Sequence, residues 1–177
     1  MFLELAQALG GSPLSIWVQS HLWVTPLLQS IHIVMIGVVF VAILMITLRV
    51  LGQVGTDETF AAVWNRFSPW MWGGIGVMAL TGMVLAIGEP VREASALSFW
   101  LKMSLIVIGI VSALTFGRAL RPLAYVGDTQ QFSGGAKAVA AGTVVLWLCI
   151  IFLGRAIAYD VEVWGSLHLG QVESALR

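Results

Sequence analysis

Charged side chains are scarce in this chain. Lysine, arginine, aspartate and glutamate make up 10% of its 177 residues, and nine bases balance nine acids. Soluble domains carry roughly a quarter of charged residues, so a mainly aqueous surface is excluded. The lack of a basic excess also excludes the positive face that nucleic-acid binding needs. A hydrophobic share of 59% and a mean hydropathy of +0.94 indicate a membrane protein instead.

Cysteine is nearly absent as well. The single Cys149 excludes an intramolecular disulfide framework and every multi-cysteine metal or iron–sulfur site. Its apolar neighbours favour a small buried hydrophobic residue over a ligand or redox thiol. The sequence also lacks a Ser-His-Asp arrangement, an H-E-x-x-H motif and a nucleotide-binding glycine pattern. These absences favour a protein without enzymatic activity of its own.

Long apolar runs are abundant. Four of them reach roughly 19 residues or more, enough for a helix to cross a bilayer at ~1.5 Å per residue. We predict a single transmembrane domain over 1–177, an all-α integral membrane four-helix up-down bundle with helices at 22–50, 69–87, 97–116 and 138–157. Residues 13–20 are predicted to form a short N-terminal interfacial segment, with Trp17 and Trp23 at headgroup depth.

Small residues predict where the helices touch. Gly82 and Ala86 form a small-xxx-small pair in the second helix, and Ala138 and Gly142 form one in the fourth. Such pairs let helix backbones approach closely in lipid. The glycines that open the second helix fit the same interpretation better than a phosphate site; they are Gly73, Gly74 and Gly76.

The distribution of basic residues predicts the orientation. Loops one and three together carry more lysine and arginine than the other side: Arg49, Arg66, Arg118, Arg121 and Lys137. The positive-inside rule then places these loops in the cytoplasm and both termini outside.

His32 is the leading candidate for function. It has about ten apolar residues on either side, and an ionisable group held within a membrane is usually retained for a purpose. Such an imidazole can ligate haem iron or copper, take part in proton or quinone chemistry, or bind a neighbouring helix. Four polar residues are candidate hydrogen-bond partners for the last role: Gln29, Ser30, Thr81 and Ser112.

Other residues extend this candidate site. His21 and His32 are eleven positions apart and share a face if that stretch is one helix, with Gln29 on the same face. Counting inward places Met78 and Cys149 at the depth of His32, and a His/Met pair is a known axial set for haem. No other span contains a histidine, which argues against a conventional bis-histidine cytochrome. His21 and His168 lie near the same boundary, where a haem between them is geometrically possible.

Two cations lie about one turn inside that boundary, Lys102 and Arg155. Each alone reads as a snorkelling side chain with its charge at the headgroups. Together with Tyr159 and the two outer histidines, they predict a rim that binds an anionic group. The candidate anions are a lipid phosphate, a haem propionate, and the side chains of Asp160 and Glu162.

Several short motifs resemble a family of small bacterial inner-membrane proteins, and more remotely the membrane part of copper-resistance protein D and other four-helix membrane cytochromes. They are Ile31-His32 through Gly37, Leu48-Arg49-Val50-Leu51-Gly52, Thr81-Gly82, Phe99 to Lys102, and Gly154 to Tyr159. The resemblance implies a multi-pass protein of the bacterial inner membrane, in which the orientation predicted from the loop charges puts both termini in the periplasm. It singles out His32, Arg49, Lys102 and Arg155 without assigning their chemistry.

Residues and resemblance together lead to one functional expectation and two alternatives. We expect a small membrane subunit that binds haem b or serves electron transfer, with His32 as the metal ligand. The further cofactor-binding candidates are His21, His168, Met78, Lys102 and Arg155. The alternatives are a cofactor-free accessory subunit of a larger membrane complex and a protein that handles copper or a small solute. The expected partners are the lipid bilayer and other membrane subunits or a second copy of the chain, not nucleic acid.

Overall fold

The computed structural model describes residues 2–120 and 132–169, and every regular element within them is helical. The all-α class is therefore confirmed. The helices are α1 (Phe2–Gly10), α2 (Pro13–Ser20), α3 (Val24–Leu51), α4 (Phe60–Gly88), α5 (Pro90–Ser95), α6 (Leu97–Leu120), α7 (Gly134–Ala156) and α8 (Asp160–Trp164). Two 3-10 turns flank α8, at Ile157–Tyr159 and Gly165–Leu167.

Four helical stretches are long and apolar enough to cross a membrane: Val24–Leu51, Phe60–Gly88, Leu97–Ala119 and Gly134–Trp164. They correspond to the four predicted spans, and they make the chain a multi-pass membrane protein by length and composition. Large apolar side chains on their outer surfaces are exposed, as lipid contact requires; examples are Trp70, Leu80 and Phe152.

The second span begins much earlier than predicted. α4 starts at Phe60 and continues through Pro69, the residue at which this span was predicted to start. The Thr59 hydroxyl accepts a hydrogen bond from the Ala62 N–H at 3.2 Å, which caps the helix. Phe60 and Trp64 are both buried in the core. Because this cap and these contacts stabilise its first two turns, the helix begins at Phe60. In the sequence, the charge of Arg66 made this stretch resemble a loop.

The buried core lies mainly between α3, α4 and α7. α3 meets α7 where the Thr47 hydroxyl donates to the Ala140 carbonyl at 3.3 Å. α3 and α4 approach most closely at Gly74, where an added Cβ would lie 2.5 Å from Val39 Cγ2. The core residues are Val39, Ala42, Ile43, Ile46, Val50, Phe60, Trp64, Met71, Ala140, Trp147 and Ile150.

The two N-terminal helices pack against one end of this bundle, which we call the α5 end. The α5 end consists of α5, the starts of α3 and α6, and the ends of α4 and α7. The Ser15 hydroxyl of α2 donates to the Ile87 carbonyl of α4 at 2.7 Å. Val18 lies against Gly88, and α1 packs on α5. α2 coincides with the predicted segment 13–20, and Trp17 and Trp23 are exposed. α1 was not predicted.

Most of the third loop and the C-terminal residues are outside the described residues. Arg121, one of the bases used to predict the orientation, falls in the third loop outside the described residues.

Candidate functional site

His32 joins α3 to α4 through a hydrogen bond. Its Nδ1 lies 2.8 Å from the Thr81 hydroxyl oxygen, and that hydroxyl lies 2.9 Å from the Val77 carbonyl. A hydroxyl has one proton and a carbonyl only accepts, so when Thr81 donates to Val77, Nδ1–H must donate to Thr81. In that arrangement a neutral ring keeps its lone pair on Nε2. The interhelical bond to Thr81, one of four predicted possibilities, is confirmed.

The other predicted partners behave differently. Ser30 donates its hydroxyl to the Pro26 carbonyl within α3, at 2.8 Å. Gln29 is exposed, so its predicted place on an inward face is wrong. Gly82 provides the space beside Thr81, since an added Cβ there would lie 3.3 Å from His32 Cε1. The predicted helix contact at Gly82 is therefore made with the imidazole ring. A Cβ added at Gly142 meets no described atom within 4 Å.

His32 lies in the half of α3 that is nearer the α5 end. It follows Val24, the first residue of the 28-residue α3, by eight positions, or about 12 Å. Its partner on α4 is Thr81, and Met78 is one turn farther from the α5 end. Cys149 is exposed on α7. Met78 lies ten positions before Gly88, the last residue of α4, and Cys149 lies seven positions before Ala156, the last residue of α7, so their predicted depth near that of His32 stays a prediction.

Lys102 lies between α6 and α7. Its Nζ would be 3.5 Å from a Cβ added to Gly154, and its Cε and Cδ are almost as close. The absence of a side chain at Gly154 therefore leaves room for the lysine. The Lys102 charge acts on the His32 imidazole and on the Glu93 carboxyl of α5.

Glu93 is the acid near Lys102 that sequence reasoning missed. Burial raises the pKa of its carboxyl, and the charges of Arg92 and Lys102 oppose that rise. Arg92 also bridges Glu89 at 2.6 Å and Glu93 at 3.5 Å. The sequence of residues 88–96 predicts a brief turn, with Pro90 able to stop the preceding helix. The short helix α5 instead places Glu93 partly inside the protein.

Glu93→Gln should make the protein more stable at pH 7 and remove part of its pH dependence. Because the pKa of Glu93 is raised in the folded state, its carboxyl contributes stability at a pH below the ordinary pKa of 4.5. This contribution is lost as the pH rises through the folded-state pKa. The uncharged glutamine avoids that loss. Unfolding free energies in mixed micelles at pH 7 and pH 4 would measure the effect. Glu89→Gln, at an exposed position, is the control, and equal pH profiles for the two variants would refute the prediction.

Arg155 and Lys102 have different surroundings. Arg155 is exposed, with Nη2 3.1 Å from the Tyr159 hydroxyl and the guanidinium carbon 5.1 Å from the centre of the Tyr159 ring. This is the geometry of a side chain that extends toward the surface, as the snorkelling interpretation predicts. Lys102 instead lies against Gly154. The structure thus associates Lys102 with Glu93 and Arg155 with Tyr159.

Asp160 holds the start of α6. It is 4% exposed, and its two carboxylate oxygens accept the N–H groups of Ser98 at 2.9 Å and Leu97 at 3.0 Å. Trp164 donates its indole N–H to the Ser98 hydroxyl at 2.8 Å. A signal existed in the sequence: Ala96, just before α6, has no side chain that can cap a helix. Asp160, a candidate anion for the rim, has this capping role instead.

His168 belongs to the same cluster. Its Nε2 lies 3.9 Å from Asp160 Oδ2, and its buried Nδ1 has no hydrogen-bond partner within residues 2–120 and 132–169. His21 lies elsewhere, at the end of α2, and its Nδ1 is 2.7 Å from the Trp17 carbonyl oxygen. The two histidines predicted near one boundary therefore have separate partners.

His21 and His32 are not on one helix. α2 ends at Ser20 and α3 begins at Val24, with non-helical backbone at His21 (φ −105°, ψ 89°). The predicted shared face is wrong, because helical spacing holds only along an unbroken helix.

Within the described ranges, no three His, Cys, Asp or Glu side chains are grouped so that they could hold a metal ion. The structural support of His32 thus consists of the hydrogen bond to Thr81 and the space that Gly82 leaves beside the ring. No protein-family model matches this chain, and neither a curated protein nor a solved structure is significantly similar to it.

Proposed function

We propose that this chain is a small integral membrane subunit that binds haem b and serves electron transfer, with His32 as an axial ligand. One observation carries the proposal. The His32 ring is oriented by Thr81 through Nδ1, while Nε2 has no hydrogen-bond partner among the described residues. A ligating histidine commonly has this arrangement, with one ring nitrogen fixed by a hydrogen bond and the other left for the metal.

The donor set fits haem better than a bare metal ion. A protein site for zinc or copper needs three or four protein ligands, and the described residues offer no such group. Haem brings four ring nitrogens and needs only axial ligands from the protein. His32 and Met78, which lies one turn from Thr81 on α4, would be the residues that hold the haem. When bound, haem would supply one-electron redox chemistry.

The environment of His32 adds a second argument. An imidazole nitrogen without a partner is costly within an apolar span. Either a bound group or another protein subunit would remove that cost. The positive charge of Lys102 would favour a propionate, although Glu93 competes for it. Arg155 extends toward Tyr159 and is available at the surface. His21 and His168 lie outside the four spans and are not needed for this group.

The proposal includes an arrangement in the membrane. α3 contacts α4 at His32–Thr81 and α7 at Thr47–Ala140, and α6 contacts α7 at Lys102–Gly154. Each contact joins the first part of one span to the last part of another, which supports an up-down bundle. The charges of the loops, by the positive-inside rule, support an orientation with the α5 end and both termini on the periplasmic side of a bacterial inner membrane.

An absorption spectrum of the purified protein tests the function. Wild-type protein produced with haem available should show a Soret band and about one haem per chain, because a single axial histidine anchors the iron. His32→Ala should retain less than about a tenth of that haem. Thr81→Val should weaken haem affinity about 10- to 100-fold, while Thr81→Ser keeps the hydroxyl and should bind normally.

Controls distinguish a ligand from a general defect. His21→Ala and His168→Ala should keep the Soret band, since both residues lie outside the four spans and away from His32. A wild-type protein that stays colourless after haem reconstitution would refute the proposal. Equal haem content in wild type and His32→Ala would refute the assignment of His32.

The second candidate is a cofactor-free accessory subunit. The hydrogen bond between His32 and Thr81 favours it, because interhelical packing alone can account for a histidine at this position. Native mass spectrometry in mild detergent tests this function. A stable complex with other membrane subunits would support it, and a monodisperse monomer without haem would count against it. Copper or solute handling is less well supported because the described residues lack a metal-binding group.

A further inference from the structure

A groove of about 630 Å³ lies at the α5 end, apart from His32. It is formed by the end of α2, the start of α3 and the junction of α4 with α5. Its volume falls in the range typical of small-molecule sites, roughly 300–1,000 Å³. The polar side chains that line it include Gln19, His21, Glu89 and Arg92; the apolar ones include Val18, Leu22, Pro26 and Val91.

The hydrogen-bonding state of His21 follows from its partner. The Trp17 carbonyl, 2.7 Å from Nδ1, can only accept, so Nδ1 carries a proton and donates it. In the neutral ring, Nε2 is then an acceptor, and it has no partner among the described residues. The Trp17 ring also supports the imidazole, with ring centres 4.5 Å apart. His21 therefore offers the groove a fixed acceptor.

Gln19 offers a second acceptor. The Ser15 hydroxyl, on a fully buried residue, donates its only proton to the Ile87 carbonyl. It must therefore accept at its 2.9 Å contact with Gln19, which fixes the amide nitrogen of Gln19 toward Ser15. The amide oxygen is left without a partner among the described residues. Two groove residues thus present acceptors, on His21 Nε2 and Gln19 Oε1.

The charges of the groove do not favour an anion. Arg92 is its cation, and it is bridged by Glu89 and lies near Glu93. The groove is therefore not strongly positive, and a lipid phosphate would gain little there. Leu22, on the wall of the groove, is 88% exposed, and the exposed Trp17 lies nearby. An apolar tail can leave the groove past these side chains toward lipid.

We propose that this groove binds the headgroup of a neutral, lipid-soluble hydroquinone, a ring with two hydroxyl donors and an apolar tail. One hydroxyl donates to His21 Nε2 and the other to Gln19 Oε1. The oxidised quinone has only carbonyl acceptors in place of these hydroxyls, so the same two atoms discriminate against it. The site is separate from the proposed haem ligand and does not depend on it.

The experiment compares the two redox forms of one probe. Protein in phosphatidylcholine nanodiscs is titrated anaerobically with a benzoquinol carrying a ten-carbon tail, and separately with its quinone, following tryptophan fluorescence. Wild type should bind the quinol at least tenfold more tightly. Tenfold corresponds to about 1.4 kcal/mol, within the range for one net hydrogen bond.

Variants separate recognition from packing. His21→Ala and Gln19→Leu should each lower quinol affinity about tenfold and leave quinone affinity unchanged, which a general distortion of the groove would not do. His168→Ala, at the other outer histidine, is the matched control and should bind both forms normally. His32→Ala should also keep quinol binding, so the failure of the haem proposal and of this one can be told apart.

Three results would overturn the proposal. The first is equal affinity of the wild type for quinol and quinone, and the second is unchanged quinol binding in both groove variants. The third is a bound probe that phosphatidylglycerol displaces and excess quinol does not. Gln19 lies within α2 and its loss removes one side-chain contact, so that variant remains informative if His21→Ala fails to fold.

Discussion

Asp160→Ala should lower the free energy of unfolding by about 3 kcal/mol. The substitution removes a buried carboxylate that accepts two backbone N–H groups at the start of α6. A buried donor left without a partner costs about 1–3 kcal/mol, and loss of a negative cap at a helix N-terminus adds about 1 kcal/mol. His168, 3.9 Å from the same carboxylate, loses its acidic neighbour as well.

Unfolding by a denaturing detergent in mixed micelles measures this change. Glu162→Ala is the matched control, since Glu162 is exposed on the same short helix and should change stability by less than about 0.5 kcal/mol. Asp160→Asn retains one acceptor oxygen and should fall between wild type and alanine. Similar stabilities for the alanine variants at 160 and 162 would show that the contacts to Leu97 and Ser98 contribute little.

The four spans could be predicted from the sequence because they depend on length and composition alone. A run of roughly 19 apolar residues is long enough to cross a bilayer wherever it occurs. The start of α4 could not be found in this way. Its first turns depend on the cap at Thr59 and on burial of Phe60 and Trp64 against distant residues, while Pro69 resembled a helix start.

The candidate site was predictable only where one residue indicates its own chemistry. His32 stands out as an ionisable group in an apolar run, and its partner Thr81 was among a few polar residues available. The predicted shared helix face of His21 and His32 was wrong because three non-helical residues separate α2 from α3. No local pattern reveals that α5 turns Glu93 toward Lys102, or that Asp160 reaches across to α6. Such pairs depend on tertiary packing rather than on sequence spacing.

The Arg49 motif noted in the sequence has a structural explanation. Arg49 is buried, and its Nε and Nη2 donate to the Glu58 carbonyl at 3.0 and 2.6 Å. Gly52 ends α3 with φ +76°, a left-handed conformation that favours glycine. These two residues shape the connection from α3 to α4.

Gly74→Ala should lower the free energy of unfolding by about 2 kcal/mol, although alanine is the better helix former. The new Cβ would lie 2.5 Å from Val39 Cγ2, and Val39 is completely buried in the core. Valine is β-branched and has one strongly preferred rotamer in a helix, so it cannot move aside easily. Overpacking of this kind costs about 1–3 kcal/mol. It also forces α3 away from α4, which should weaken the contact of His32 with Thr81.

The neighbouring glycines supply the matched controls. A Cβ added at Gly73 or Gly76 meets no described atom within 4 Å, so Gly73→Ala and Gly76→Ala should leave stability unchanged or raise it by up to about 1 kcal/mol. Removing the opposing methyl groups should relieve the clash, so Val39→Ala should cost less in the Gly74→Ala background than alone. Detergent-induced unfolding of the four proteins in this double-mutant cycle measures that coupling. Two results would contradict this prediction: additive effects of the two substitutions on the free energy of unfolding, and equal stabilities of the three glycine variants. Either result would show that close approach of α3 and α4 at Gly74 does not determine how these helices pack.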